Sequence, residues 1–113
     1  MGAPVYVTAW SNGQASASGS GYGLRIKIRD RERHFHPTWT NVVVELDGEA
    51  TVVPLSGSFW RTCNELRSTA IGQWLLRYGL APWPHRHPPT LTLQPLGDNR
   101  FKLDLHVPRH QQP

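Results

Sequence analysis

The sequence predicts an α+β fold: a twisted antiparallel sheet of about six strands, in the order β-β-β-β-α-β-β, packed on one long helical segment. Three observations predict it. Residues 22–29 and 100–107 alternate apolar with polar side chains, the period of a half-buried strand. Asp47-Gly48 stands between two β-branched runs, a strong hairpin signal because both turn positions require positive φ. The stretch from about Ser58 to Tyr78 repeats apolar residues at three-to-four spacing, the period of a helix face. Strands grouped away from the helix, with short hairpins, argue for α+β over a wound α/β fold, and the order is compatible with a partly open barrel.

Residues 4–10, Pro-Val-Tyr-Val-Thr-Ala-Trp, are β-branched and aromatic enough for a first strand. Ser11 to Gly21 is nearly all Ser, Gly, Ala and Asn, a composition read as a flexible loop because it buries no apolar surface. From Tyr22 to Arg29, Leu24, Ile26 and Ile28 fall on one face and Arg25, Lys27 and Arg29 on the other. Val42, Val44 and Leu46 define the inward face of the next strand, and Ala50 to Val53 returns after Asp47-Gly48. Pro54 lacks the N–H a ladder needs and ends that return. In the helical segment Phe59, Cys63, Leu66, Ala70, Trp74 and Tyr78 form the apolar stripe. Ser58 is one candidate cap, and Thr62 with Glu65 a capping box. Gly72 inside the pattern signals close packing or a kink, since it costs about 1 kcal/mol relative to Ala. Gly79 suits the left-handed end of the helix. A proline-stiffened connection, 81–89, leads to the last two strands, in which Phe101, Leu103, Leu105 and Val107 point inward.

The 113 residues fit one domain, 1–113, with 108–113 read as a frayed tail. At 38% hydrophobic and 18% charged, the composition is that of a globular chain. No apolar run approaches the ~20 residues of a membrane span. The start, Met1-Gly2-Ala3-Pro4-Val5-Tyr6, has neither the basic nor the apolar region of a signal peptide. Together with a single cysteine, Cys63, this sets a cytoplasmic expectation.

Net charge is +4, and ten of twelve basic residues are arginine. Arg25, Lys27, Arg29, Arg31 and Arg33 occupy every odd position of one stretch. On an extended strand such side chains repeat every ~6.6 Å, near the spacing of successive phosphates. The sequence therefore favours a small non-enzymatic module that binds nucleic acid through a basic strand face. Arg100 and Lys102 join if the last strand lies alongside, and Trp39 and Trp83, in proline-rigidified loops, supply stacking platforms. A solvated sheet face is the plainer account of the same pattern. An acidic protein partner is another, in which exposed Trp residues anchor an inhibitor or accessory subunit.

Two further constellations are candidates for chemistry. His34-Phe35-His36 and His85-Arg86-His87 would each place two imidazoles on one face of an extended chain. Cys63, near the start of the expected helix, would have its thiol acidified by the helix dipole, and with His106 on a strand would form a cysteine hydrolase pair. Against this, Cys63 falls on the apolar stripe, where a cysteine acts as a small hydrophobe. No glycine loop leads into a helix to hold phosphate, and no motif implies a cofactor.

Overall fold

The alternating runs do become strands. In the computed structural model, which describes residues 3–106, seven strands build one sheet: β1 (Val5–Ser11), β2 (Tyr22–Ile26), β3 (Asn41–Leu46), β4 (Glu49–Pro54), β5 (Glu65–Arg67), β6 (Thr90–Gly97) and β7 (Arg100–Leu105). Helix α1 (Ile28–His34) follows β2. A 3-10 turn at Gly57–Trp60 precedes β5, and helix α2 (Thr69–Arg77) follows it. The sheet order is β4-β3-β7-β6-β1-β2-β5. Its edges, β4 and β5, curl toward each other, so the sheet is a nearly closed barrel. Val5, Val7, Leu24, Ile26, Val42, Val44, Leu91, Leu93, Phe101 and Leu103 fill its interior.

The α+β class holds, while its details are corrected. There are seven strands, not about six, and β3 runs parallel to β7 within an otherwise antiparallel sheet. The parallel pair follows from long-range order: the chain crosses the barrel through β4, β5 and α2 before returning beside β3, and no local signal encodes that.

The long helix of 58–78 is three elements. Phe59 enters the core from the 3-10 turn, Leu66 from β5, and Ile71, Trp74 and Leu75 from α2. Their spacing mimics one helical stripe although three separate backbones deliver them. Glu65-Leu66-Arg67 extends because β2 would otherwise leave an unpaired edge. Gly23 pairs with Arg67, Leu24 with Leu66 and Arg25 with Glu65. The Thr62–Glu65 capping box is therefore not formed. The cap is Ser68, whose hydroxyl accepts from the Ile71 N–H at 3.3 Å, and Gly79 at φ 70° follows the last turn as expected.

The strand expected over Tyr22–Arg29 stops at Ile26. There the Ile26 N–H donates to the Asn64 carbonyl at 2.9 Å, and the Asn64 side-chain amide donates back to the Ile26 carbonyl. Lys27 is the last extended residue, and Ile28–His34 is helical, with Asp30 in its first turn and Arg31, Arg33 and His34 in its last, the polarity the helix dipole favours. Ile28 consequently points away from the barrel and is 59% exposed. Leu105 is likewise 46% exposed at the end of β7, and the expected inward Val107 and the 108–113 tail lie outside the described residues. Tyr78 is exposed as well, and Cys63 is only half-buried.

Two plugs complete the barrel. At the start of β7, Phe101 stacks on Phe35 at 5.1 Å, and Phe35 also meets Phe59 and Trp39 at 5.5 and 5.9 Å. At the opposite end of β3, α2 grips the Asp47-Gly48 turn, whose φ values of 53° and 87° fit the expected hairpin. The Asp47 carboxylate accepts from the Tyr78 hydroxyl at 2.8 Å, the Arg77 guanidinium at 3.1 Å and the Trp74 indole N–H at 3.4 Å. The 11–21 segment, expected to be a flexible loop, is hydrogen-bonded across its neck from the Asn12 N–H to the Gly21 carbonyl and tied to α2 from the Gln73 amide to the Ser18 carbonyl at 3.1 Å.

The hydrogen bond from Tyr78 above all, then those from Trp74 and Arg77, hold the Asp47 carboxyl below its ordinary value of 3.8 against an opposing effect of desolvation. A carboxyl depressed in the folded state stabilises it above the unfolded pKa, and that stability is lost as pH falls through the folded value. Tm should therefore drop on acidification below about pH 4, and Asp47→Asn, which keeps the turn conformation, should flatten that drop. Thermal melts by circular dichroism from about pH 6 to pH 2 check this; parallel acid limbs in the two proteins would refute the grip.

Candidate nucleic-acid interface

Sheet register brings together a basic and aromatic patch on the outer face of β1, β2 and β5. Trp10 pairs with Gly23 and Gly23 with Arg67, so the three form one row across three strands. The middle position has to lack a side chain: a Cβ on Gly23 would lie 2.3 Å from the Leu66 carbonyl oxygen. Arg67 crosses the bare position, and its guanidinium carbon sits 4.8 Å from the Trp10 ring centroid, a cation–π contact.

The next row is Thr8, Arg25 and Glu65. Glu65, its side chain 6% exposed, accepts from Arg67 at 3.2 Å and lies 3.7 Å from Arg25 Nε, while both arginines remain more than half exposed. One carboxylate thus orients two guanidinium groups without covering them.

Helix α1 follows β2 directly and carries further basic groups. Lys27, Arg29 and Arg33 are exposed, and Arg29 and Arg33 stand four residues apart on one helical face. With Arg25 and Arg67 they make five exposed basic groups against Asp30, Glu32 and Glu65.

The continuous basic strand from Arg25 to Arg33 is corrected. Residues two apart on a helix point to nearly opposite sides, so Arg31 turns inward while Arg29 and Arg33 stay out. Arg31 is 6% exposed. Its Nη1 donates to the Phe59 carbonyl at 2.6 Å, and its guanidinium lies 5.7 Å from the Trp60 ring. Arg31 pins α1 to the 3-10 turn, and no outside ligand reaches it.

Arg100 and Lys102 do not join the patch. They lie on β7, separated from β2 by β6 and β1, ~14 Å at normal strand spacing. Lys102 pairs with Asp104 at 4.0 Å. Trp39 and Trp83 are half-buried, Trp39 edge-on to Phe101 at 6.4 Å and Trp83 against Tyr22 at 5.7 Å.

Among the described residues the two histidine pairs do not converge on a metal-binding cluster. His34 ends α1 and His36 lies beyond it, its Nδ1 bonded to the Thr38 hydroxyl at 2.7 Å. His85 and His87 are exposed in the proline connection. Among the described residues no three of His, Cys, Asp or Glu cluster in a way that could hold a metal ion.

Cys63 does not start a helix. It sits in the turn before β5, with Sγ 3.6 Å from the Thr62 hydroxyl, and helps line a cleft with Leu55 and Ser58. His106 packs edge-on against Tyr6 at 5.2 Å on the outside of β1, a different set of neighbours. No helix among the described residues is long and apolar enough to cross a membrane.

Sequence reasoning ranked Trp10 below Trp39 and Trp83 as a stacking residue and did not single out Arg67 or Glu65. The only local signal for them is Glu65-Leu66-Arg67 itself, a polar-apolar-polar triplet that reads equally as part of a helix. Comparison of the chain with protein-family models, with curated proteins and with solved structures returns no match, and what the patch does is argued from its geometry.

Proposed function

We propose that the protein is a small binding module that holds the phosphate backbone of a nucleic acid on the outer face of β2, β5 and α1. The observation that carries this reading is the set of five exposed basic groups, Arg25, Lys27, Arg29, Arg33 and Arg67, borne on two paired strands and the helix that follows β2, with Arg67 laid over Trp10. Arginine suits the task because its planar fork binds phosphate bidentately. Glu65 holds Arg25 and Arg67 in place, so less side-chain entropy is lost on binding. The protein-partner alternative is weaker, because Trp39 and Trp83, its best anchors, are spent on internal packing.

Fluorescence anisotropy with labelled DNA and RNA tests the proposal. Wild type should bind at ~50 mM salt, with affinity falling at a log–log slope of about −0.7 to −0.9 per phosphate neutralised. The triple variant Lys27→Glu, Arg29→Glu, Arg33→Glu should abolish binding and keep its far-UV spectrum, with stability within about 1 kcal/mol because only Arg33→Glu opposes the helix dipole. Lys102→Glu, on the distant strand, should bind like wild type. Absence of binding by wild type at ~50 mM salt would overturn the proposal.

A further inference from the structure

We propose that the cleft beside Trp10 seats one unpaired base, so that the ligand is a single-stranded nucleic acid and not a duplex. This rests on the nucleic-acid reading above and narrows it. A phosphate-binding face needs only positive charge. Nothing in that role requires an outward tryptophan, yet Trp10 stands in the row Trp10–Gly23–Arg67 with a cleft beside its ring.

Arg67 lies across the row at Gly23, with its guanidinium over the Trp10 ring. The cleft continues past the ring, with Gly21 and Tyr22 between Asn12 on the β1 side and Ser68 and Thr69 on the β5 side, and has a volume of ≈ 240 Å³. That is below the ~300–1,000 Å³ of pockets for drug-sized ligands and suits one planar ring system edged by polar atoms.

Arg67 acts as a removable cover. Its side chain is 57% exposed and tethered through Glu65 at 3.2 Å. When Arg67 swings aside, Glu65 keeps its contact with Arg25, so the row is not left with an unpaired buried carboxylate. A base then replaces the guanidinium on the Trp10 face, and the displaced arginine meets the neighbouring phosphate. One π-face contact is exchanged for another and the Arg67–Glu65 bond for an Arg67–phosphate bond, so what favours the bound state is the apolar ring surface the base buries against Trp10. A base inside a duplex presents only its edge and does not reach the ring without leaving the stack, which costs a few kcal/mol.

The test uses a labelled oligothymidylate of about 12 nucleotides, within the usual site size of such modules, and the same strand annealed to its complement. Wild type should bind the single strand about 10-fold more tightly than the duplex, with partial quenching of tryptophan emission. Trp10→Leu, which keeps an apolar side chain in the half-buried row, should weaken single-strand binding about 10-fold, remove the quenching and leave the salt slope unchanged, since stacking releases no counterions. Equal or tighter binding of the duplex by wild type overturns the inference and leaves the phosphate-binding reading standing. So does a folded Trp10→Leu that binds the single strand like wild type. If Trp10→Leu does not fold, the wild-type ratio of single strand to duplex decides alone. Failure of wild type to bind either probe at ~50 mM salt removes both readings together.

Discussion

Trp74→Ala is expected to lower the unfolding free energy by about 3–5 kcal/mol, the range for emptying a buried tryptophan site. Trp74 is 2% exposed in the middle of α2, between Ile71 and Leu75 on the buried face. Its ring lies 4.7 Å from that of Tyr78, and its indole N–H donates to Asp47. The substitution therefore removes core volume and one of the three donors that bind the β3–β4 turn to the helix. Against a total stability of about 5–15 kcal/mol, the variant should be partly unfolded near physiological temperature. Trp83→Ala is the comparison. Read as an exposed loop residue, Trp83 would cost under about 1 kcal/mol to truncate. Half-buried against Tyr22, it should cost about 1–2 kcal/mol, still well below Trp74. Urea denaturation of both, at a shared m-value, separates them. Equal costs, or a harmless Trp74→Ala, would mean that α2 turns another face to the barrel.

Trp74 was legible in the sequence because a buried helix face has a local period. The strands β3 and β7 were legible by their own period of two, β1 by its β-branched and aromatic content, and β4 through the Asp47-Gly48 turn with its two positive φ angles. What failed were places where two periods fit the same residues. Ile28 and Arg29 continue the alternation of β2, but that alternation ends where Asn64 closes the backbone of Ile26, a contact across 38 residues of chain. Beyond it, Arg, Asp and Glu are acceptable in either a helix or a strand, and the helix wins because Arg31 then reaches the Phe59 carbonyl. The stretch 58–78 failed in the opposite direction: apolar residues from a 3-10 turn, a strand and a helix imitate a single helix, and only the unpaired edge of β2 shows that the middle part must extend.

The candidate site was half visible. Arg25 stands on the outer face of β2 as alternation required, and Arg29 and Arg33 are exposed, although on a helix. Arg67 and Trp10 could not have been paired from the sequence, since their row depends on the registers of β1 with β2 and of β2 with β5, separations of tens of residues. Arg31 was misplaced because a run of like charges carries no mark of which member a helix will turn inward. Lys102 was left conditional on strand order, and that order puts it three strands away.

Gly72→Ala should destabilise the protein even though helix propensity favours it. In a solvated helix interior the change would gain about 1 kcal/mol. At this position the added Cβ would lie 1.9 Å from the Gly19 carbonyl oxygen and 2.9 Å from its Cα, contacts with backbone and not with a side chain that swings away. The relation is mutual: a Cβ on Gly19, which has φ of 100°, would lie 2.6 Å from the Thr69 carbonyl oxygen. The two glycines let the 11–21 segment rest directly on α2, and Gln73 fastens it there through the Ser18 carbonyl. Overpacking a close contact costs about 1–3 kcal/mol, so the net effect of Gly72→Ala should be a loss, and Gly72→Val, with more volume and a branched Cβ, should lose more. Gln73→Ala should cost at most about 1.5 kcal/mol, the contribution of one partly exposed hydrogen bond. Equilibrium urea unfolding of the three variants decides the sign. A Gly72→Ala protein more stable than wild type would mean that the segment stands off the helix, and with it the part of the Trp10 cleft that Asn12 and Gly21 build.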